Sequence, residues 1–260
     1  MRLFAWLLWL CFLRAAAAQE PAPPKLVNEG KPLRVPVQCG AAQIESLGLD
    51  CSEDAPCPIF VELASAGTIG DRLFVSGNLH TASVTLSSVL LASDDGGKTW
   101  YEGHERIASA GLEHMQFLDL EHGWIAGQIL GAIPKDPFFL VTTNGGKTFV
   151  RRDVYVESRP GAIDQFWFDS RTAGSLIVDR LRRGDSAGRY EVLETMTGGD
   201  NWSLRQIVMK PTPLKRRAAG GDGWRVRAHA PSKSYRVEKQ EGTAWTPVAA
   251  FLVSAGECKP

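Results

Sequence analysis

From Cys57 onward the chain alternates short apolar stretches with polar corners. IFVEL, RLFVSG, SVLLAS, HMQFLDL, GWIAGQ, FFLVTT, QFWFD, SLIVD and WRVRAH are each about a strand in length. β-branched and aromatic residues crowd them, and glycine-rich or polar turns bound them, which is the signature of strands joined by tight connections. No stretch keeps a helical period over about a dozen residues. The pattern predicts an all-β domain.

A repeat selects the architecture. SDDGGKTW (Ser93 to Trp100), TTNGGKTF (Thr142 to Phe149) and TMTGGDNW (Thr195 to Trp202) begin 49 and 53 residues apart. A worn fourth copy starts at Glu238, with Gly242 and Trp245 in its fifth and eighth places. A period near 50 with several strands per unit points to propeller blades. Residues 58–260 hold about four such units, with five as the other count, each of four strands. Within a unit the order is strand one, a second strand entered by a Gly-Trp pair such as Gly123-Trp124, a loop, strand three, the turn motif and strand four.

The turn residues have physical reasons. Asp95, and the polar Asn144 in the second copy, sit where a side chain accepts hydrogen bonds from the backbone of its own turn. Gly97, Gly146, Gly199 and Gly242 occupy a place expected to need positive φ. Trp100, Phe149, Trp202 and Trp245 are expected to fold back and bury their rings between strands, each worth a few kcal/mol at roughly 25 cal/mol per Å² of apolar area.

The pattern, together with Ser93, Thr142 and Thr195 at its first place, resembles the Asp-box (BNR) repeat. FLDLEHGWIAG ahead of a box is similar to propellers of the photosystem II assembly and stability factor type. The resemblance covers residues 58–250 and implies a β-propeller whose boxes are scaffold, lying away from the ligand-binding face. It further implies a protein-binding or assembly role without catalysis.

The ends of the chain add compartment and closure. Arg2 precedes an apolar run, Leu3 to Leu13, too short to span a bilayer, and Ala16 to Ala18 offer a cleavage site. Residues 1–18 therefore read as a secretory signal, with an uncleaved anchor as the competing reading, and no transmembrane segment follows. Residues 19–57 form a Pro-rich segment with a closing strand, LRVPV, and a disulfide loop. Cys39, Cys51, Cys57 and Cys258 remain after cleavage, an even count that suits an exported chain with two disulfides. Three pairings are open; the short SEDAP loop favours Cys51 with Cys57, leaving Cys39 with Cys258. Leu33 to Val37 is expected beside the last strand, near Val248 to Val253.

Charge is balanced over the 260 residues at 29 basic and 29 acidic, but it is unevenly placed. Arg180 to Lys239 holds 14 Lys or Arg against 6 Asp or Glu. Arg180, Arg182, Arg183, Lys215, Arg216 and Arg217 fall in loops expected at the propeller mouth, where they would attract an acidic envelope or secreted protein. A merely solvated rim is the plainer reading. Nucleic acid is disfavoured by the export signal. His114 and His122 lack a third ligand, so no metal and no cofactor is expected. The competing function is a sialidase-like or other glycoside hydrolase, which needs paired carboxylates or a tyrosine with an acid partner. None of Tyr101, Tyr155, Tyr190 and Tyr235 sits beside a convincing acid in the sequence.

Overall fold

The computed structural model describes residues 25–37, 39–181, 188–214 and 223–259. The expected signal, residues 1–18, lies outside them. The described chain is nearly all β, built as four antiparallel sheets in a propeller of about four blades.

The first blade opens with β1 (Leu26–Val27), followed by the short helix α1 (Ala41–Ser46) and then β2 (Cys57–Ile69), β3 (Arg72–His80), β4 (Thr85–Ser93) and β5 (Thr99–Glu102). β6 (Ala110–Phe117), β7 (Gly123–Leu130), β8 (Pro134–Thr142) and β9 (Val150–Asp153) make the second, in simple up-and-down order. The third repeats that order with β10 (Ala162–Phe168), β11 (Gly174–Asp179), β12 (Tyr190–Thr195) and β13 (Ser203–Val208). The fourth has three strands, β14 (Trp224–His229), β15 (Ser234–Glu241) and β16 (Ala244–Leu252). The chain then crosses back: β17 (Ser254–Cys258) pairs antiparallel with β2, Cys258 opposite Cys57.

The two ends of the described chain and the disulfides therefore meet at the first blade. Leu33 bridges Phe251 in parallel, accepting from the Leu252 N–H at 2.8 Å and donating to the Ala250 carbonyl at 2.7 Å. Disulfides join Cys39 to Cys258 and Cys51 to Cys57. The sequence pattern did not announce β17: SAGEC is short and polar, and it acquires strand form from its partner rather than from propensity.

Three apolar clusters fill the seams between blades. Val61, Val75, Leu91 and Trp100 meet Val237 and Phe251 between the first and fourth. Phe74 and Leu90 meet Leu112, Phe138 and Phe149 between the first and second. Trp124 and Phe139 meet Phe168, Leu176 and Leu193 between the second and third. Among the described residues no such cluster joins the third blade to the fourth. Because the first blade is covered on both faces, β3 and β4 read as near-continuous buried runs rather than as clean alternation.

One glycine shows how close the inner strands pack. A Cβ on Gly77 would lie 2.0 Å from the carbonyl oxygen of Glu62, beside the bulge at Leu63/Ser65. Only glycine allows that approach.

Candidate functional site

The blades present two ends. At one lie the turns β4–β5, β8–β9 and β12–β13, which carry the sequence motif; at the other lie the β3–β4, β7–β8, β11–β12 and β14–β15 loops and the links between blades.

The motif turns are organised by their own side chains. Ser93 Oγ accepts the Gly97 N–H at 2.8 Å, Thr142 Oγ1 that of Gly146 at 2.9 Å, and Thr195 Oγ1 that of Gly199 at 3.1 Å. Asp95 accepts the N–H groups of Lys98 and Thr99 and the Thr99 hydroxyl. The Thr99 hydroxyl and N–H hold its carboxyl down at about 2. Asn144 takes the Thr148 N–H in the second turn, and Thr197 takes that of Asn201 in the third. Gly97, Gly146, Gly199 and Gly242 have φ of +91°, +73°, +101° and +64°. At Gly146 the neighbour is also close: a Cβ would meet the Phe74 ring at 2.6 Å.

The first three of these turns each dock on the blade before them. Trp100 meets Phe251 edge-on at 5.2 Å, Phe149 meets Phe74 edge-on at 5.4 Å, and Trp202 stacks on Phe139 at 5.6 Å. The turn carbonyls are held too: Gly97 O by Asn28, Gly146 O by Arg72, Gly198 O by the Trp124 indole. Trp245 departs from the expectation of a buried ring. It is half-buried, with the Arg225 guanidinium 4.2 Å from its centroid, and its turn is a tight hairpin around Gly242. Glu238 opens that copy where the others have Ser or Thr, and it is spent on Arg225 at 2.6 Å.

At the other end, a buried carboxylate ties two loops together. Glu191, on β12, accepts the Tyr155 hydroxyl at 2.6 Å and Arg159 Nη2 at 2.5 Å, and Arg180 Nε stands 3.6 Å away. Its side chain is 6% exposed. Arg159 also lies over the Tyr155 ring at 4.1 Å. Burial, then the hydrogen bond to Glu191, pushes the Tyr155 phenol far above its ordinary value. Residue order alone does not show this partnership, because Tyr155 and Glu191 are 36 residues apart in different units.

Arg180 is thereby placed. Its side chain is 12% exposed and also donates to the Gly188 carbonyl at 3.0 Å, so it braces the loop base rather than standing free. Arg182, Arg183, Lys215, Arg216 and Arg217, the other members of the expected basic site, lie outside the described residues. Nearby, the Arg189 guanidinium holds the Asp179 carboxyl below its usual range.

Nearer the axis, Asn78 donates to Glu62 at 3.3 Å and Gln128 to Glu113 at 2.8 Å, while Gln128 Oε1 accepts the Ile163 N–H of the next blade. Burial raises the Glu113 carboxyl, with the charge of Glu62 adding to the effect and His114 opposing it. A cavity of about 470 Å³ opens beside Glu62, Asn78, His80, Thr81 and Leu130. His122 is engaged by Asp119 within its own turn at 3.1 Å, and His114 lies on β6 opposite Ala126. Among the described residues no three His, Cys, Asp or Glu side chains gather as a metal site, and no helix is long and apolar enough to cross a membrane.

No family model matches the chain, and no curated protein matches it. Two solved structures are similar in part. One, YCF48 bound to D1 peptide, has 19% identity and a TM-score of 0.39, covering 74% of this chain and 54% of that one. The other, YCF48 from Cyanidioschyzon merolae, has 16% identity and a TM-score of 0.33, covering 74% and 56%. The chain thus spans about half the length of these structures.

Proposed function

We propose that the chain is an exported, non-catalytic β-propeller that holds a protein partner as a binding or assembly scaffold, with an acidic surface of that partner meeting the basic mouth. The observation that carries this reading is the Glu191 hub. It fastens the link between the second and third blades, through Tyr155 and Arg159, to the loop after β11, through Arg180. A loop fixed at its root presents its tip with less ordering entropy left to lose on binding. In sequence the braced Arg180 runs on into Arg182 and Arg183, and the following link carries Lys215, Arg216 and Arg217. Export is supported by the Leu3 to Leu13 run with Ala16 to Ala18 and by the two disulfides. Mass spectrometry of the secreted chain should find cleavage near Ala18; a product that keeps residues 1–18 would sink the export reading. Affinity capture from an envelope extract should yield a partner that is lost when Arg182, Arg183, Arg216 and Arg217 are changed to Glu. Undiminished capture by that variant would remove the mouth as the site.

One observation favours a second reading, a glycoside hydrolase of sialidase type: a tyrosine hydroxyl on a glutamate with two arginines beside it. The scaffold reading is preferred because each oxygen of that buried carboxylate is already engaged, Oε2 by Tyr155 and Oε1 by Arg159. Turnover of aryl sialosides or aryl glycosides that Tyr155→Phe abolishes would reverse the preference.

A further inference from the structure

The fourth blade carries an electrostatic arrangement that its own residues leave uncompensated. β14 and β15 pair so that their side chains alternate between two faces. Trp224/Lys239, Val226/Val237 and Ala228/Tyr235 share one face; Val237, Val226, Tyr235 and Trp224 there pack toward the first blade. Arg225/Glu238, Arg227/Arg236 and His229/Ser234 share the other. Arg225 is committed to Glu238 and to the Trp245 ring. Arg227 and Arg236 stand directly opposite one another, and neither has an acidic or hydrogen-bonding partner among the described residues. Arg227 is exposed and Arg236 half-buried.

Like charges at directly opposed positions of an antiparallel pair destabilise it. The cost disappears when an anion lies across the two guanidinium groups. Their forks match carboxylates in two-point contact, and opposed side chains are spaced about 5 Å apart at Cβ, within reach of one carboxylate or of neighbouring acidic side chains. The Trp245 ring beside Arg225 adds an amphipathic surface of the kind that anchors peptides. The face ends at the Ala230–Ser232 loop, on the same end of the blades as the Glu191 hub.

We propose that Arg227 and Arg236 form a carboxylate clamp for an acidic stretch of a protein partner. It deepens the scaffold reading and rests on it for the nature of the partner, but it places the contact on a sheet face rather than on the mouth loops. The mature full chain is titrated into a fluorescein-labelled Glu-rich decapeptide and followed by anisotropy. Arg227→Gln/Arg236→Gln should weaken binding by about tenfold or more, Lys210→Gln should leave it unchanged, and added salt should weaken the wild type more than the double variant. The melting temperature of the double variant should stay level or rise, since the repulsion is gone. If the double variant fails to fold, Arg227→Gln alone, at an exposed position, supplies the same comparison. Unchanged peptide affinity in the variant overturns the clamp, as does equal binding of the wild type to anionic vesicles or to heparin. If a captured partner is retained by the double variant, the clamp fails and the scaffold stands. If the wild type captures nothing while the variant loses the peptide, the clamp stands and the scaffold fails.

Discussion

The indole N–H of Trp124 donates to the carbonyl of Gly198, 74 residues further along the chain, at 2.7 Å. The same ring lies flat on Phe168, with centroids 3.8 Å apart and planes 6° apart. One side chain of the second blade thus holds both the inner strand and the turn of the third.

Two substitutions separate these contributions. Trp124→Phe keeps an aromatic surface on Phe168 and loses the hydrogen bond, so it should cost about 1–2 kcal/mol, including the unsatisfied Gly198 carbonyl. Trp124→Ala also opens a cavity in the seam and should cost about 3–5 kcal/mol. Urea unfolding measures both. Similar losses for the two would mean that the bond to Gly198, rather than the packing, dominates.

Asp95 links the first turn to pH. Its folded carboxyl lies at about 2, below the ordinary value of 3.8, because Thr99, Ser93 and Lys98 donate to the charged form. A depressed carboxylate contributes stability that is present above the unfolded value and is lost as pH falls. Thermal unfolding should therefore show an acid-side loss between about pH 4 and pH 2 that shrinks in Asp95→Asn. That variant should be less stable than the wild type at pH 7, by less than Asp95→Ala since an amide still accepts the equivalent N–H at Asn144 in the second turn, and should converge with the wild type near pH 2. Asp95→Ala, which accepts nothing, should cost roughly 1 kcal/mol at pH 7. An unaltered acid limb in Asp95→Asn would assign the loss to other carboxylates.

Glu191 offers a harsher test of the mouth. Glu191→Ala leaves Arg180 mostly buried without its acid and Tyr155 without an acceptor, and removing one partner of a buried pair costs about 3–5 kcal/mol. Tyr155→Phe removes one bond while Arg159 continues to serve the carboxylate, so about 1 kcal/mol is expected. If Glu191 braces the loops, limited proteolysis of Glu191→Ala should open first near residues 153–162 and 180–189. Cleavage confined to other loops would remove the bracing role.

How much of this could be read in advance follows the range of each interaction. The turns were legible because their chemistry is local: Ser93 reaches Gly97 and Asp95 reaches Thr99, each across four residues, so spacing alone encodes the bonds. Strand order followed from the repeat. The disulfide pairs followed from loop length and elimination. What stayed hidden is non-local. Glu191 and Tyr155 belong to different units, and Arg180 looked like a free loop charge because its acid lies beyond the next turn. The opposition of Arg227 to Arg236 depends on a hairpin register that residue types alone do not fix. Trp245 misled for a related reason: its motif supplies the ring and the glycine, but the seam that buries Trp100 is made by a neighbouring blade.

The two disulfides should differ in weight although they adjoin in space. Cys39–Cys258 closes a loop with a separation of 219 residues, whereas Cys51–Cys57 closes one of 6. In the chain-entropy treatment the long loop restricts the unfolded ensemble by about 5 kcal/mol and the short one by about 2 kcal/mol. The long bond also secures β17 against β2 and, through the chain before α1, the Leu33 pairing beside Phe251. Cys39→Ser/Cys258→Ser should therefore lower stability by about 3 kcal/mol more than Cys51→Ser/Cys57→Ser, and should expose the β17 amides to hydrogen exchange while those of β7 and β8 stay protected. Calorimetry and exchange mass spectrometry measure the two effects. Equal destabilisation by the two pairs, with β17 still protected, would mean that strand pairing rather than the covalent bond fastens the chain's end.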